Sequence, residues 1–190
     1  TMNPKTPRFA SSKVIVVANH KGGSGKTTLV VNLAVALMRA GMSVAAVDAD
    51  ASQESLTHYM QNRDVWARRR GTALPVPMHE TLGYAHPEET TAHALRRIDE
   101  LAAGFDVVVI DTAGHDDPLN RSIHERADVL VTPLNDSFVD LDVLAAFDPE
   151  TLAIAKIGKY GKMVQDLREA RRAADRTDLE WIVVRNRLSA

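Results

Sequence analysis

Eight consecutive residues, Lys21-Gly22-Gly23-Ser24-Gly25-Lys26-Thr27-Thr28, combine three glycines, two lysines and three hydroxyls. The glycines let successive main-chain N–H groups turn inward with no Cβ in the way, a concave donor surface for phosphate oxygens. An apolar run, Val14-Ile15-Val16-Val17, precedes the segment and a helical pattern follows it. The positive end of that helix adds to the attraction for phosphate. In such a loop Lys26 reaches the β- and γ-phosphates and the Thr27 hydroxyl holds Mg²⁺. His20 stands where the general phosphate-loop pattern opens with glycine, and Lys21 comes next, so the match is to the variant Lys-Gly-Gly-x-Gly-Lys-Thr. A flexible glycine turn with two solvated lysines would not need the strand before it or the helix after it.

Three carboxylates fall where that loop needs them. Asp48 and Asp50 follow a second apolar run, and Asp111 ends the run Val107-Val108-Val109-Ile110. In a parallel sheet the carboxyl ends of strands converge on the ligand crevice, so these side chains approach the phosphates from one side. Asp111, Asp48 and Thr27 are the expected metal ligands, and Asp50 is the expected residue orienting an attacking water. Asp111-Thr112-Ala113-Gly114 resembles a Walker B aspartate leading into a switch, with the Gly114 N–H sensing the γ-phosphate. Singly, each Asp would read as a cap or turn residue.

The elements that must position these groups alternate along the chain. Strands are predicted over 14–17, 43–47, 105–110, 128–132 and 181–184, and an edge strand or loop over 74–78, where Pro75 and Pro77 interrupt the pattern. Helices are predicted over 26–40, through a basic stretch ending in Arg68-Arg69-Arg70, and over 88–103, 117–126 and 162–175. Leu56, Tyr59, Met60 and Trp66 are expected to face the core from the second helix. The pattern predicts an α/β fold: a doubly wound, mostly parallel sheet with helices on both faces. Residues 1–12 read as a disordered leader and 13–190 as one phosphate-loop ATPase domain. The chain ends soon after its last predicted strand, which reads as a C-terminally shortened domain.

The 190 residues suit a single domain with a real core. At 45% hydrophobic and 25% charged the chain is globular rather than disordered. Cysteine is absent, which excludes disulfides, thiolate zinc sites and cysteine-ligated iron–sulfur clusters. A net charge of -2 gives no general affinity for nucleic acid. No apolar run is long enough to cross a bilayer, and the chain is expected to be cytoplasmic.

Lys21 with Gly22 and Gly23 resembles the deviant Walker A ATPases of the ParA/MinD superfamily. In those proteins the lysine reaches across a nucleotide-sandwich dimer to the partner's phosphates. The stretches Val131-Thr132-Pro133-Leu134-Asn135-Asp136-Ser137-Phe138-Val139-Asp140, Phe147-Asp148-Pro149-Glu150-Thr151-Leu152 and 180–188 are similar to the MipZ family, the division-plane-positioning branch of that superfamily. The resemblance implies an ATP- and Mg²⁺-dependent homodimer in which Lys21 acts in trans, with Asn186 and Arg187 beside the adenine. It implies a ParB-type centromere-binding protein, the tubulin-like FtsZ and non-specific DNA as partners, and a nucleoid-associated location. No Asn-Lys-x-Asp guanine signature occurs, in keeping with ATP over GTP.

Two basic groups, Arg68–Arg70 and the series Arg168, Arg171, Arg172 and Arg176, are candidate DNA contacts, against the plainer reading of solvated helix faces. His79, His86 and His93 recur every seven residues with no completing ligand set, which reads as chance. A partition ATPase of the ParA type is the alternative within the same chemistry. A metabolic ATP-dependent ligase or synthetase on the same fold is the alternative from another class.

Overall fold

The computed structural model describes residues 11–82, 87–148, 150–151 and 153–186. Its elements in chain order are β1 (Lys13–Val17), α1 (Lys26–Arg39), β2 (Val44–Asp48), α2 (Ser55–Arg70), β3 (Met78–Thr81), α3 (Pro87–Gly104) and β4 (Val107–Asp111). They continue with α4 (Pro118–Arg126), β5 (Val129–Asn135), the single turn α5 (Phe138–Leu141), β6 (Ala145–Phe147), β7 (Ile154–Ile157), α6 (Lys159–Ala173) and β8 (Glu180–Asn186). Six strands form one sheet in the order β3-β2-β4-β1-β5-β8, every neighbouring pair parallel. This is the α/β arrangement expected from the apolar runs. The expected leader lies, save for Ser11 and Ser12, outside the described residues.

The central strands are apolar throughout because both their faces are covered. Every residue of β2 and β4 is buried. Val14 and Val16 of β1, Ala45 and Val47 of β2, and Val108 and Ile110 of β4 pack with Ala94 and Ile98 of α3, Ile123 of α4 and Val164 of α6. The alternate residues Val17, Val44, Ala46, Val107 and Val109 pack with Val30, Val31 and Ala34 of α1 and Leu56 and Met60 of α2. Each fully buried aliphatic side chain contributes about 1.5–3 kcal/mol, offset by the entropy of ordering it. The outer strand β8 is thinly covered, with Ile182 and Val183 exposed.

Two expectations are adjusted and one feature is new. The edge strand starts at Met78 rather than Leu74, because Pro75 and Pro77 carry no N–H for the ladder with β2. Tyr59 and Trp66 are not core: they are 47% and 50% exposed, since Leu56, Met60 and Ala67 form the inner face of α2 and the two rings fall about a quarter-turn away. The antiparallel hairpin β6–β7 and the turn α5 were not predicted; strands of three and four residues are too short to show a period. His79 stands on β3 and His93 on α3, while His86 lies outside the described residues.

Candidate functional site: a phosphate loop with a second lysine

The register of the sheet brings the carboxyl ends of β1, β2 and β4 level: Val17 pairs with Asp111, and Asp48 with Asp111. The loop from β1 to α1 crosses this edge. Gly23 and Gly25 take left-handed backbones, with φ of 73° and 89°. A Cβ on Gly25 would meet the Asn186 amide and turn that side chain aside, and the left-handed backbone is what requires glycine there. No side chain caps α1, and its first N–H groups remain for a ligand in the loop.

Lys26, Thr27, Gly22 and Gly114 come together over this loop. A methyl added to Gly114 would lie 3.4 Å from Lys26 Nζ and 3.6 Å from the Gly22 nitrogen. Burial lowers the Lys26 pKa, while Asp111 and Asp50 act in the opposite sense. Thr27 Oγ1 donates to Asp111 Oδ2 at 2.6 Å. The other carboxylate oxygen, Asp111 Oδ1, is buried with no hydrogen-bond partner, and burial pushes the carboxyl up to about 7. A buried, unsatisfied carboxylate oxygen beside a hydroxyl is a fitting donor pair for a hard divalent cation, whose charge removes the desolvation penalty.

Asp48 reaches the same crevice but its oxygens already serve the main chain. Oδ1 accepts from Asp50 N and Oδ2 from Thr57 N, both at 3.1 Å, holding the loop into α2. Its pKa is raised by burial in spite of those bonds. Asp48 thus anchors the loop into α2 and stands as a second carboxylate near Asp111. Asp50 is half-buried at the crevice, its carboxylate accepting from Ser52 Oγ at 2.6 Å.

Lys21 is held in its own chain. Its amide donates to Asn19 Oδ1 at 3.0 Å, and its ammonium forms an ion pair with Asp140 of α5. Asp140 is buried, accepts from Asn135 N at 3.0 Å, and has its pKa lowered first by Lys21. Asp140 closes one of the stretches similar to the MipZ family, but nothing in the sequence signalled its pairing with Lys21, because the two residues are more than a hundred positions apart. Tyr160 is a second group the pattern did not reveal. Its buried hydroxyl lies 3.2 Å from the carbonyl of Ala18, where the loop begins, and 3.2 Å from His124 Nε2, and its ring meets His20 edge-on. Helix α6 is thereby tied to the base of the phosphate loop.

Other expected residues separate. Ser24 is buried within the loop and Thr28 is exposed on the first turn of α1. Asn186 packs on the loop, its Nδ2 donating to the Ser24 carbonyl at 3.0 Å, and Arg187 lies outside the described residues. Arg171 is withdrawn from the candidate DNA surface: it is buried, with its guanidinium given to the carbonyls of Thr177 and Ala127. Arg168 and Arg172 both bond Asp178 and hold its carboxyl well below the usual range. Arg68 pairs with Asp64, and Arg70 lies over the Trp66 ring. His115 in the switch is exposed and contacts Asp117 at 3.0 Å.

The sequence model of the family described as "ATPase MipZ" matches residues 13–190. The chain belongs to the MipZ family. With it comes membership of the ParA/MinD superfamily of phosphate-loop ATPases. This MipZ-family chain is 36% identical over 139 residues to the maintenance of carboxysome distribution protein A of Gloeobacter kilaueensis, covering 73% of this chain and 56% of that one. It is 29% identical over 150 residues to the chromosome-partitioning ATPase Soj of Thermus thermophilus, covering 72% and 60%. Among solved structures, cobyrinic acid a,c-diamide synthase of Mycobacterium smegmatis with bound ATP analog and magnesium superposes with a TM-score of 0.61 at 25% identity, over 92% of this chain and 72% of that one. The MipZ-family chain spans under two thirds of the length of the two curated relatives named. Among the described residues no helix is long and apolar enough to cross a membrane.

Proposed function

We propose that this chain is an ATP-binding and ATP-hydrolysing dimerisation switch that positions the bacterial division plane and couples it to chromosome segregation. The observation that carries the reading is Lys21, a second ammonium group at the phosphate loop whose present partner is Asp140 of the same chain. ATP fits the loop formed by Gly22, Gly23, Ser24, Gly25 and Thr28, with Lys26 on the β- and γ-phosphates and the Gly114 N–H on the γ-phosphate. Thr27 and Asp111 would hold Mg²⁺, which when bound screens the phosphate charge and favours one orientation of the terminal phosphoryl group. Asp50 orients the attacking water. Lys21 leaves Asp140, crosses to the partner's nucleotide and stabilises the charge that develops there, an effect worth several kcal/mol. Asn186 and Arg187 face the adenine in this reading.

The solved relative with an ATP analog and magnesium supports the ligand class. The division-plane role rests on the family matched, and a ParB-type protein, FtsZ and non-specific DNA are the proposed partners. DNA contact falls to Arg168 and Arg172 once Arg171 is set aside, on a cytoplasmic, nucleoid-associated protein. A partition role proper is the second reading, favoured by the identity to a chromosome-partitioning ATPase. A ligase or synthetase on this fold would not need Lys21.

Light scattering with ATP decides the switch. The wild-type chain is expected to double its mass with ATP and the Lys21→Ala variant to remain a monomer that still binds nucleotide. A monomer in both, or a dimer in both, would discard the proposal.

A further inference from the structure

Helix α2 carries a stripe that the nucleotide site does not use. Tyr59, Arg63, Trp66 and Arg70 recur at helical spacing, aromatic and cationic by turns, on a face where both rings are half exposed. The stripe is one wall of a groove. Leu74 in the strap after α2 and Arg39 at the end of α1 form the rest, and Asn62 completes the floor. The strap is fastened to α2 by the bond from Arg63 Nε to the Pro75 carbonyl at 3.1 Å. Arg39 ends α1, whose first residue is Lys26, so the groove lies a helix length, about 20 Å, from the phosphates.

Its chemistry is one-sided. The lining contains two arginines and no carboxylate, Arg70 adds a third guanidinium above Trp66, and the whole chain is slightly acidic. Tyr, Trp and Arg are enriched among the side chains that dominate protein-protein binding energies, the two aromatics because they bury much area at small entropic cost. Half-exposed rings flanked by guanidinium groups fit a ligand that supplies both an apolar anchor and negative charge. A second copy of the same groove does not: a two-fold contact would set arginine against arginine. Single-stranded nucleic acid fits less well, because the groove offers two rings and two arginines rather than the long basic track of successive stacking rings that a strand follows. The Asn62 amide offers a donor and an acceptor, which suits a peptide main chain.

We propose that the groove between α2 and the strap after it is a docking site for an acidic peptide segment of a partner protein, with an aromatic or aliphatic anchor seated between Tyr59, Trp66 and Leu74. The inference does not rest on the proposed division-plane role or on ATP.

A display library of short randomised peptides, selected on the full chain and counter-selected on a Trp66→Ala/Arg39→Glu variant, tests it. The recovered peptides are expected to combine Asp or Glu with an apolar anchor and to bind more weakly as salt rises. Each single substitution should weaken a recovered peptide by about tenfold or more, with the thermal midpoint and nucleotide affinity unchanged. Recovery of neutral or basic peptides, or of peptides that bind the variants equally well, would overturn the proposal. So would tighter, Trp66-dependent binding of a labelled single-stranded oligonucleotide, or recovery of no Trp66-dependent binder at all. Light scattering with ATP is read separately on both variants, so failure of the dimer switch is distinguishable from failure of the groove.

Discussion

Replacing Asp111 by Asn should make the nucleotide-free protein more stable at alkaline pH while removing its response to magnesium. The carboxyl is buried, one oxygen bonded to Thr27 and the other unpaired, and its pKa stands at about 7 against an ordinary 3.8. A group whose pKa is raised on folding holds its proton more tightly in the native state. Its contribution is complete below the unfolded value and is lost as pH rises through the folded one. With the pKa raised from 3.8 to about 7, ionising Asp111 in the folded chain costs at most about 4 kcal/mol. Asn cannot ionise, yet its carbonyl can still accept from Thr27. Lys26 loses one of the two carboxylates that favour its charge, which trims the gain. Urea unfolding with a chelator present should show the two proteins nearly equal at about pH 4 and the variant more stable by a few kcal/mol at about pH 8. With Mg²⁺ and a non-hydrolysable ATP analogue, the wild type should gain stability by mass action and the variant should gain far less. Parallel pH profiles for the two chains, or equal stabilisation by magnesium, would refute the reasoning.

Asp50→Ala should retain nucleotide binding and the ATP-dependent dimer while phosphate release falls toward background; unchanged turnover removes Asp50 from the hydrolytic step. Gly25→Ala must hold a left-handed backbone and displace Asn186, costing about 1–2 kcal/mol from the conformation alone and weakening nucleotide binding, which calorimetry would show. Tyr160→Phe removes the hydroxyl that bonds the Ala18 carbonyl and His124 Nε2 and should cost about 1–3 kcal/mol in urea unfolding. A loss of only a few tenths would mean that the hydroxyl does not brace the loop.

The phosphate loop, its lysines and the aspartates at the strand ends were legible because their physics is local. A glycine-rich turn between an apolar run and an amphipathic helix leaves few other folds for about eight residues, and a parallel sheet then brings Asp48 and Asp111 to the same edge. The division of labour within that set was not local. Asp111 and Asp48 look alike as strand-terminal carboxylates, yet one has an unsatisfied oxygen and the other accepts from the amides of Asp50 and Thr57. Arg171 looked like its neighbours on α6, but the packing of that helix against the end of α4 buries it. Tyr59 and Trp66 were expected inside because they are large and apolar, and a rotation of about 100° per residue set them outside.

From residue order alone came the candidate phosphate loop, the parallel sheet and the family, since each is written in short runs of neighbouring side chains. The tether between Lys21 and Asp140, the brace from Tyr160 and the open groove on α2 arise only when distant segments meet. The reason is physical: burial, desolvation and charge pairing depend on distance through space, and spacing along the chain carries no measure of it.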